Sequence, residues 1–109
     1  MTFKLSKEEA KLFYVKESAL HGKGLFAKKE IKSGTYLGHY EGRTTKHNGM
    51  HVLWVEEEEG KWVGCDGTNA LRFLNHSNKP CAEFDGYELY AIKKIKAKEE
   101  ITFDYGEEP

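Results

Sequence analysis

No run of hydrophobic residues in this chain exceeds four positions, as in Leu12-Phe13-Tyr14-Val15 and Val52-Leu53-Trp54-Val55. Glycine-bearing turn signals stand between such runs: His21-Gly22-Lys23-Gly24, Lys32-Ser33-Gly34, Glu59-Gly60 and Asp85-Gly86. Turns that recur about every eight to twelve residues, around short runs of branched and aromatic residues, specify many short strands and a mainly β domain. A membrane-spanning helix needs roughly twenty apolar residues in a row. A secretory leader needs an apolar core of about seven to fifteen. Neither fits here, so no membrane partner is expected.

The element pattern follows from the same reading. Ser6-Lys7-Glu8-Glu9 has the form of a capping box opening a short helix. Residues 1–11 therefore form an N-terminal arm ahead of a first strand at Leu12-Phe13-Tyr14-Val15. Leu25-Phe26-Ala27 and residues 35–40 are further strands, the second closed by Gly42. Val52-Leu53-Trp54-Val55 and Lys61-Trp62-Val63 flank a charged turn as a hairpin. Residues 66–73 lack a strand period and leave room for a helical turn. Residues 87–92 follow Asp85-Gly86 as the second arm of another hairpin. Ile101-Thr102-Phe103 is the last strand, with Ile101, Phe103 and Tyr105 on one face. At 109 residues, the chain is a single domain, 1–109.

Charge narrows the function classes. Seventeen basic residues face 18 acidic ones, and the formal net charge is −1. Only Arg43 and Arg72 are arginine, the side chain best suited to bidentate phosphate contacts. Direct nucleic-acid binding is therefore not expected. Cys65 and Cys81 lack any Cys-x-x-Cys or zinc-type spacing. They read as two semi-buried thiols of a reducing compartment. His21, His39, His47 and His51 show no metal spacing either, and no metal is expected.

Three stretches could carry chemistry. Gly22-Lys23-Gly24 lets backbone approach a ligand closely, although a plain turn reads the same way. It is not a dinucleotide fingerprint, because no third glycine and no helix follow. Arg72-Phe73-Leu74-Asn75-His76-Ser77 sets several hydrogen-bonding groups directly behind an apolar pair. It could equally be a capped turn; a serine-hydrolase reading fails because Ser77 lacks its glycine elbow. Glu99-Glu100-Ile101-Thr102-Phe103-Asp104-Tyr105-Gly106 would make an aromatic wall ending in one hydroxyl, or simply a core strand. The run Glu56-Glu57-Glu58-Glu59 is a solvated hairpin tip, or a patch that attracts basic segments.

The order of these stretches, together with Tyr40-Glu41-Gly42, resembles the SET-domain protein-lysine methyltransferases over about residues 14–105. The resemblance implies a SET-type fold of small curved β-sheets with few short helices and a knot-like C-terminal crossing. It implies S-adenosylmethionine as methyl donor, S-adenosylhomocysteine as product and no metal. Lys23, Gly24 and Leu25 match the turn that holds the donor's amino-acid end. Asn75 and His76 match the pair that binds the donor near its amino group and adenine, and Arg72 the residue that braces them. Tyr40 matches the tyrosine shared by donor pocket and lysine channel, Tyr105 the catalytic tyrosine, and Phe103 a channel position that influences how many methyl groups fit. With Phe rather than Tyr at 103, more than one methyl per lysine is expected.

The implied substrate is a protein with an accessible lysine, and charge suggests a basic or histone-like one. The alternative is a SET-like binding module with little catalysis, completed by a partner. The departures from the family are also informative. Residues 43–66 form a reduced insert. Cys81 stands where Asn commonly follows the proline. No cysteine-rich segment follows Tyr105, so a second copy or another protein is expected to close the lysine channel. The expected location is intracellular: cytoplasmic in a bacterium, or nuclear in a eukaryote.

Overall fold

The computed structural model describes residues 5–20, 22–49 and 51–104. The capping box is formed as expected. The Ser6 hydroxyl accepts from the Glu9 amide while the Glu9 carboxylate accepts from the Ser6 amide. It opens α1 (Lys7–Leu12), and the chain passes without a loop into β1 (Phe13–Glu17). Glu9 has a second use, because its other carboxylate oxygen accepts from the Ala70 amide at 3.0 Å.

The strands that follow are β2 (Lys23–Ala27), β3 (Tyr36–His39), β4 (Gly42–Thr45), β5 (Val52–Glu58) and β6 (Lys61–Gly67). A 3-10 turn at Ala70–Phe73 supplies the helical turn expected there. Then come β7 (Asn75–His76), β8 (Ala82–Asp85), β9 (Glu88–Ala91) and β10 (Glu100–Phe103). Both expected hairpins form, as the β5–β6 and β8–β9 antiparallel pairs. Among the described residues the strands make three small sheets, ordered β1-β2-β10-β7, β3-β9-β8 and β4-β6-β5. No helix among the described residues is long and apolar enough to cross a membrane.

Three local expectations are corrected. Gly42 does not close β3; it begins β4, paired with Gly67 across β6. A Cβ at 42 would collide with the Asp66 carbonyl, so the glycine is needed for strand contact rather than for a stop. Lys23 and Gly24 lie within β2, and only Gly22, with φ of 45°, has a turn conformation that favours glycine. The last strand is not apolar on one face alone. Ile101, Thr102 and Phe103 are all buried, so β10 is covered on both faces, with β8 of another sheet packed against it. The Cys81 sulfur lies 3.5 Å from the Thr102 amide, so the thiol sits against the strand backbone where the family's asparagine was expected.

The core gathers Phe13, Leu25, Leu71, Leu89, Ile95 and Ile101 at 1% exposure or less. Each comes from a different element or loop. This is how a chain of short apolar runs assembles one interior. Both thiols are free and buried, and burial pushes each above its ordinary pKa.

Candidate functional site

Strand β10 organises the site. It pairs antiparallel with β2 through Glu100↔Phe26 and Ile101↔Leu25, and parallel with β7 through Thr102↔Asn75 and Phe103↔His76. Three sequence-distant motifs are thereby brought side by side.

A polar cluster gathers at the Glu100 end. Asn75 is buried, 8% exposed. Its side-chain nitrogen donates to the Lys23 carbonyl at 3.2 Å and to a Glu100 carboxylate oxygen at 2.8 Å. The other Glu100 oxygen accepts from the Ser18 hydroxyl at 2.7 Å. Gly24 lies against the same carboxylate, which a Cβ there would strike. Lys23, Gly24 and Asn75 are thus brought together, as the sequence suggested. Ser18 and Glu100 join them unforeseen. Leu25 has no exposed surface, and its backbone pairs with both β1 and β10. Its side chain therefore belongs to the core. His76 faces the other way along β7, with Nδ1 at 3.7 Å from the Asp104 carboxylate.

An aromatic cluster gathers at the Phe103 end. Phe84 stands edge-on to both Phe103 (centroids 5.2 Å apart) and Tyr40 (5.7 Å). Tyr40 is buried and donates its hydroxyl proton to the His51 carbonyl at 2.5 Å. Beside this cluster is a depression of about 370 Å³, lined among others by Leu53, Trp54, Phe84, Ile92, Phe103 and Asp104. Its walls mix apolar and polar surface in nearly equal measure, and the acidic residues Glu83 and Asp104 are among those that line it. That combination suits an aliphatic chain carrying a positive head.

Arg72 lies beside the aromatic cluster, lining a small crevice with Tyr40, His51 and Phe103. Its carbonyl accepts from His51 Nδ1 at 2.8 Å, and its guanidinium lies 5.6 Å from the centre of the Phe73 ring. Its Nε is buried with no hydrogen-bond partner among the described residues. Arg72 is thus tied to His51 through its main chain and stacks on the neighbouring Phe73. Tyr105 lies outside the described residues, as does His21.

Four contributors escaped the sequence reading: Ser18, His51, Phe84 and Glu100. Phe84 had a usable signal, since Ala82 and Phe84 alternate with Glu83 and Asp85 and so face inward. Glu100 had a weaker one, as a carboxylate beside a buried Ile-Thr-Phe strand. Ser18 and His51 carry no periodic signal.

The set fits the methyl donor that the resemblance implies. The Lys23 carbonyl and the Glu100 carboxylate are acceptors, matched to a ligand that carries an ammonium and a sulfonium. Among the described residues, no three His, Cys, Asp or Glu side chains gather as a metal site.

Comparison with known proteins supports the same reading. The family model described as SET domain matches residues 22–106. Human histone-lysine N-methyltransferase 2B is 32% identical over an alignment covering 94% of this chain and 4% of that protein. The histone-lysine N-methyltransferase trithorax of Drosophila virilis is 28% identical, over 96% of this chain and 3% of that protein. The chain thus spans only a small part of the curated relatives it matches. The methyltransferase domain of human histone-lysine N-methyltransferase SETMAR superposes with a TM-score of 0.74 at 25% identity, covering 85% of this chain and 44% of that one.

Proposed function

The chain belongs to the SET-domain family, and on that premise we propose that it is a protein-lysine N-methyltransferase that uses S-adenosylmethionine. The observation that carries this reading is the single strand β10, with a cation-matched polar cluster at Glu100 and an aromatic depression at Phe103. S-adenosylmethionine, when bound, supplies an electrophilic methyl group on a positively charged sulfur.

The chain's own residues supply the rest. Lys23, Gly24 and Asn75 hold the donor's amino-acid end, with His76 toward its adenine and Arg72 bracing the segment. A lysine of pKa near 10.4 is neutral only about once in 2,500 at pH 7, a cost of about 4.6 kcal/mol. Walls made by Trp54, Phe84 and Phe103, with Tyr40 packed behind Phe84, disfavour the ammonium and so lower that cost. They also restrict the amine's approach, which is an orientation effect. Tyr40 has committed its proton to His51, so its oxygen faces any further partner as an acceptor. An acceptor is what a methyl beside a positive sulfur prefers. Tyr105 positions the amine in the catalytic role that its motif implies.

The substrate is a protein lysine, in a basic segment if the acidic residues 56–59 steer it. The substrate protein or a second copy of the chain completes the outer side of the depression. Two buried free thiols suit a reducing, intracellular setting.

The test is transfer of labelled methyl from S-adenosylmethionine to a panel of basic proteins, with donor binding followed by calorimetry. Transfer that falls at least about a hundredfold in Tyr105→Phe, with donor affinity retained, is expected. Binding without transfer in the parent chain would favour a binding module. Absence of any donor binding would dismiss both.

A further inference from the structure

The β3-β9-β8 sheet buries one face and opens the other. Leu37, Leu89 and Ala91 point inward and are buried. Strand pairing sets the outward side chains in two rows that run across the strands. One row is Tyr36, Tyr90 and Glu83, and the other is His39, Glu88 and Asp85. Two large rings therefore lie open, Tyr36 at 49% exposure and Tyr90 at 37%, with centroids 5.4 Å apart and planes tilted by 60°. Tyr36 is held in place, because its hydroxyl donates to Glu88 at 2.6 Å while the other Glu88 oxygen bonds His39 Nδ1 at 2.5 Å. Glu88 is thus used within the sheet. Glu83 and Asp85 are exposed and make no ion pair among the described residues.

Open ring faces beside solvent-facing carboxylates select a cation. Arginine fits better than lysine, since its planar guanidinium stacks on a ring while its N–H fork reaches a carboxylate. A phosphate-bearing partner is repelled here. An apolar partner would strip water from the carboxylates without pairing them.

Position names the partner. Strand β8 is the edge of this sheet. Its inward Phe84 walls the depression at Phe103, and Glu83, at the end of the first row, also lines it. A chain whose lysine enters the depression, and which then runs outward over β8, meets Glu83, Tyr90 and Tyr36 in that order. Strands lie about 4.8 Å apart and an extended chain advances about 3.3 Å per residue. The two rings are then reached about two to four residues from the lysine.

We propose that the Tyr36–Tyr90 face is a specificity surface for the substrate, which takes an arginine about two to four residues from the target lysine in a basic segment laid across β8. This rests on the lysine-methyltransferase reading given above, and it adds a sequence preference and the residues that read it.

The test measures methyl transfer by the full chain to short alanine-glycine peptides with a central lysine and a single arginine moved stepwise along either side. The parent is expected to favour arginine by about fivefold or more in kcat/KM at about two to four positions from the lysine, carried by KM. The preference should fall on one side only, because an extended chain crosses the sheet in one direction. In Tyr90→Ala it should shrink to within about twofold, and Tyr90→Phe, which keeps the ring, should retain it. A merely structural role would slow transfer to every peptide alike and leave the ratios unchanged. Circular dichroism checks the fold, and if Tyr90→Ala does not fold, Tyr90→Leu decides, since it keeps an apolar side chain without a ring. If only intact core histones are methylated, Tyr90→Ala should raise their KM by about fivefold, and an unchanged KM overturns the inference. Equal transfer to all peptides by the parent overturns it too and leaves the methyltransferase reading standing. So does a ratio that Tyr90→Ala leaves unchanged; if that variant also dissolves a dimer of the parent, the face belongs to a second copy. A parent that methylates neither peptides nor histones removes the methyltransferase reading, and this inference with it.

Discussion

Phe103 answers to both packing and chemistry. It is 7% exposed, its ring is edge-on to Phe84, and its backbone pairs with His76. A phenyl ring there leaves room beside the depression that a phenol would fill. We therefore expect the parent chain to add more than one methyl to a lysine at saturating donor, and Phe103→Tyr to shift the product toward the monomethylated form. Mass spectrometry of a lysine peptide reads both. Strictly monomethylated product from the parent would contradict the first expectation. At this scale the sequence was informative where a residue's place follows from a contiguous motif, as at Asn75 and Phe103, which the fold sets on paired strands. It was silent where the role arises from meeting a distant strand. Phe84 matters because β8 sets it between Tyr40 and Phe103, and Glu100 because β10 carries it to Ser18 and Gly24. His51 showed no metal spacing and was assigned no ligand role. In the fold it ties the Tyr40 hydroxyl, through its carbonyl, to the Arg72 main chain, through its ring.

Helix α1 shows what a local rule can and cannot reach. The capping box was legible because all its atoms lie within four residues. The bond from the Ala70 amide to Glu9 was not, because it spans 61 positions. Glu9 therefore anchors the arm to the start of the 3-10 turn that leads into Asn75. Glu9→Ala should destabilise the chain by about 2 kcal/mol in urea unfolding, through loss of cap and anchor together. A change below a few tenths would mean that the arm is not coupled to the fold. The outer face of the β3-β9-β8 sheet carries a second device. Glu88 accepts from the Tyr36 hydroxyl at 2.6 Å and from His39 at 2.5 Å, which together hold its carboxyl below the usual range. In return, the bond to Glu88 pushes Tyr36 up to about 12. Tyr87 also rises to about 12, through burial and its bond to Glu57. For a group with a raised pKa, the stabilisation is complete below the unfolded value near 10. It is lost as pH climbs toward 12, because the unfolded chain ionises first. Melting temperature should therefore fall across that interval, and by less in Tyr36→Phe. Tyrosinate absorbance should show a late-titrating component that shrinks in Tyr36→Phe; a titration curve unchanged at its alkaline end by that substitution would refute the pairing.

For the whole molecule, glycine spacing and short apolar runs made a mainly β domain legible, but not which strands pair. Sheet order β1-β2-β10-β7 joins both ends of the described chain through contacts that no periodicity encodes. Burial of β10 on both faces, with β8 packed against it, hides the alternation that a surface strand would show. The same arrangement leaves the depression walled on one side by β8 and β10, and on the other by Leu53 and Trp54 of β5. Ile92 on its rim is 44% exposed. A lysine channel works by excluding water, so an exposed apolar rim needs a cover during reaction. The substrate protein itself is the cover that the reaction always brings. We expect kcat/KM on an intact basic protein to exceed that on a short peptide around the same lysine by about tenfold or more, since only the protein buries the rim. Ile92→Ser should reduce the protein rate and leave the peptide rate nearly unchanged. Light scattering separates this from closure by a second copy. A monomer in the absence of substrate, joined by one substrate molecule in its presence, is the expected result. A stable dimer without substrate would assign the cover to the partner chain instead, and a monomer equally active on peptide and protein would show that the channel needs no cover.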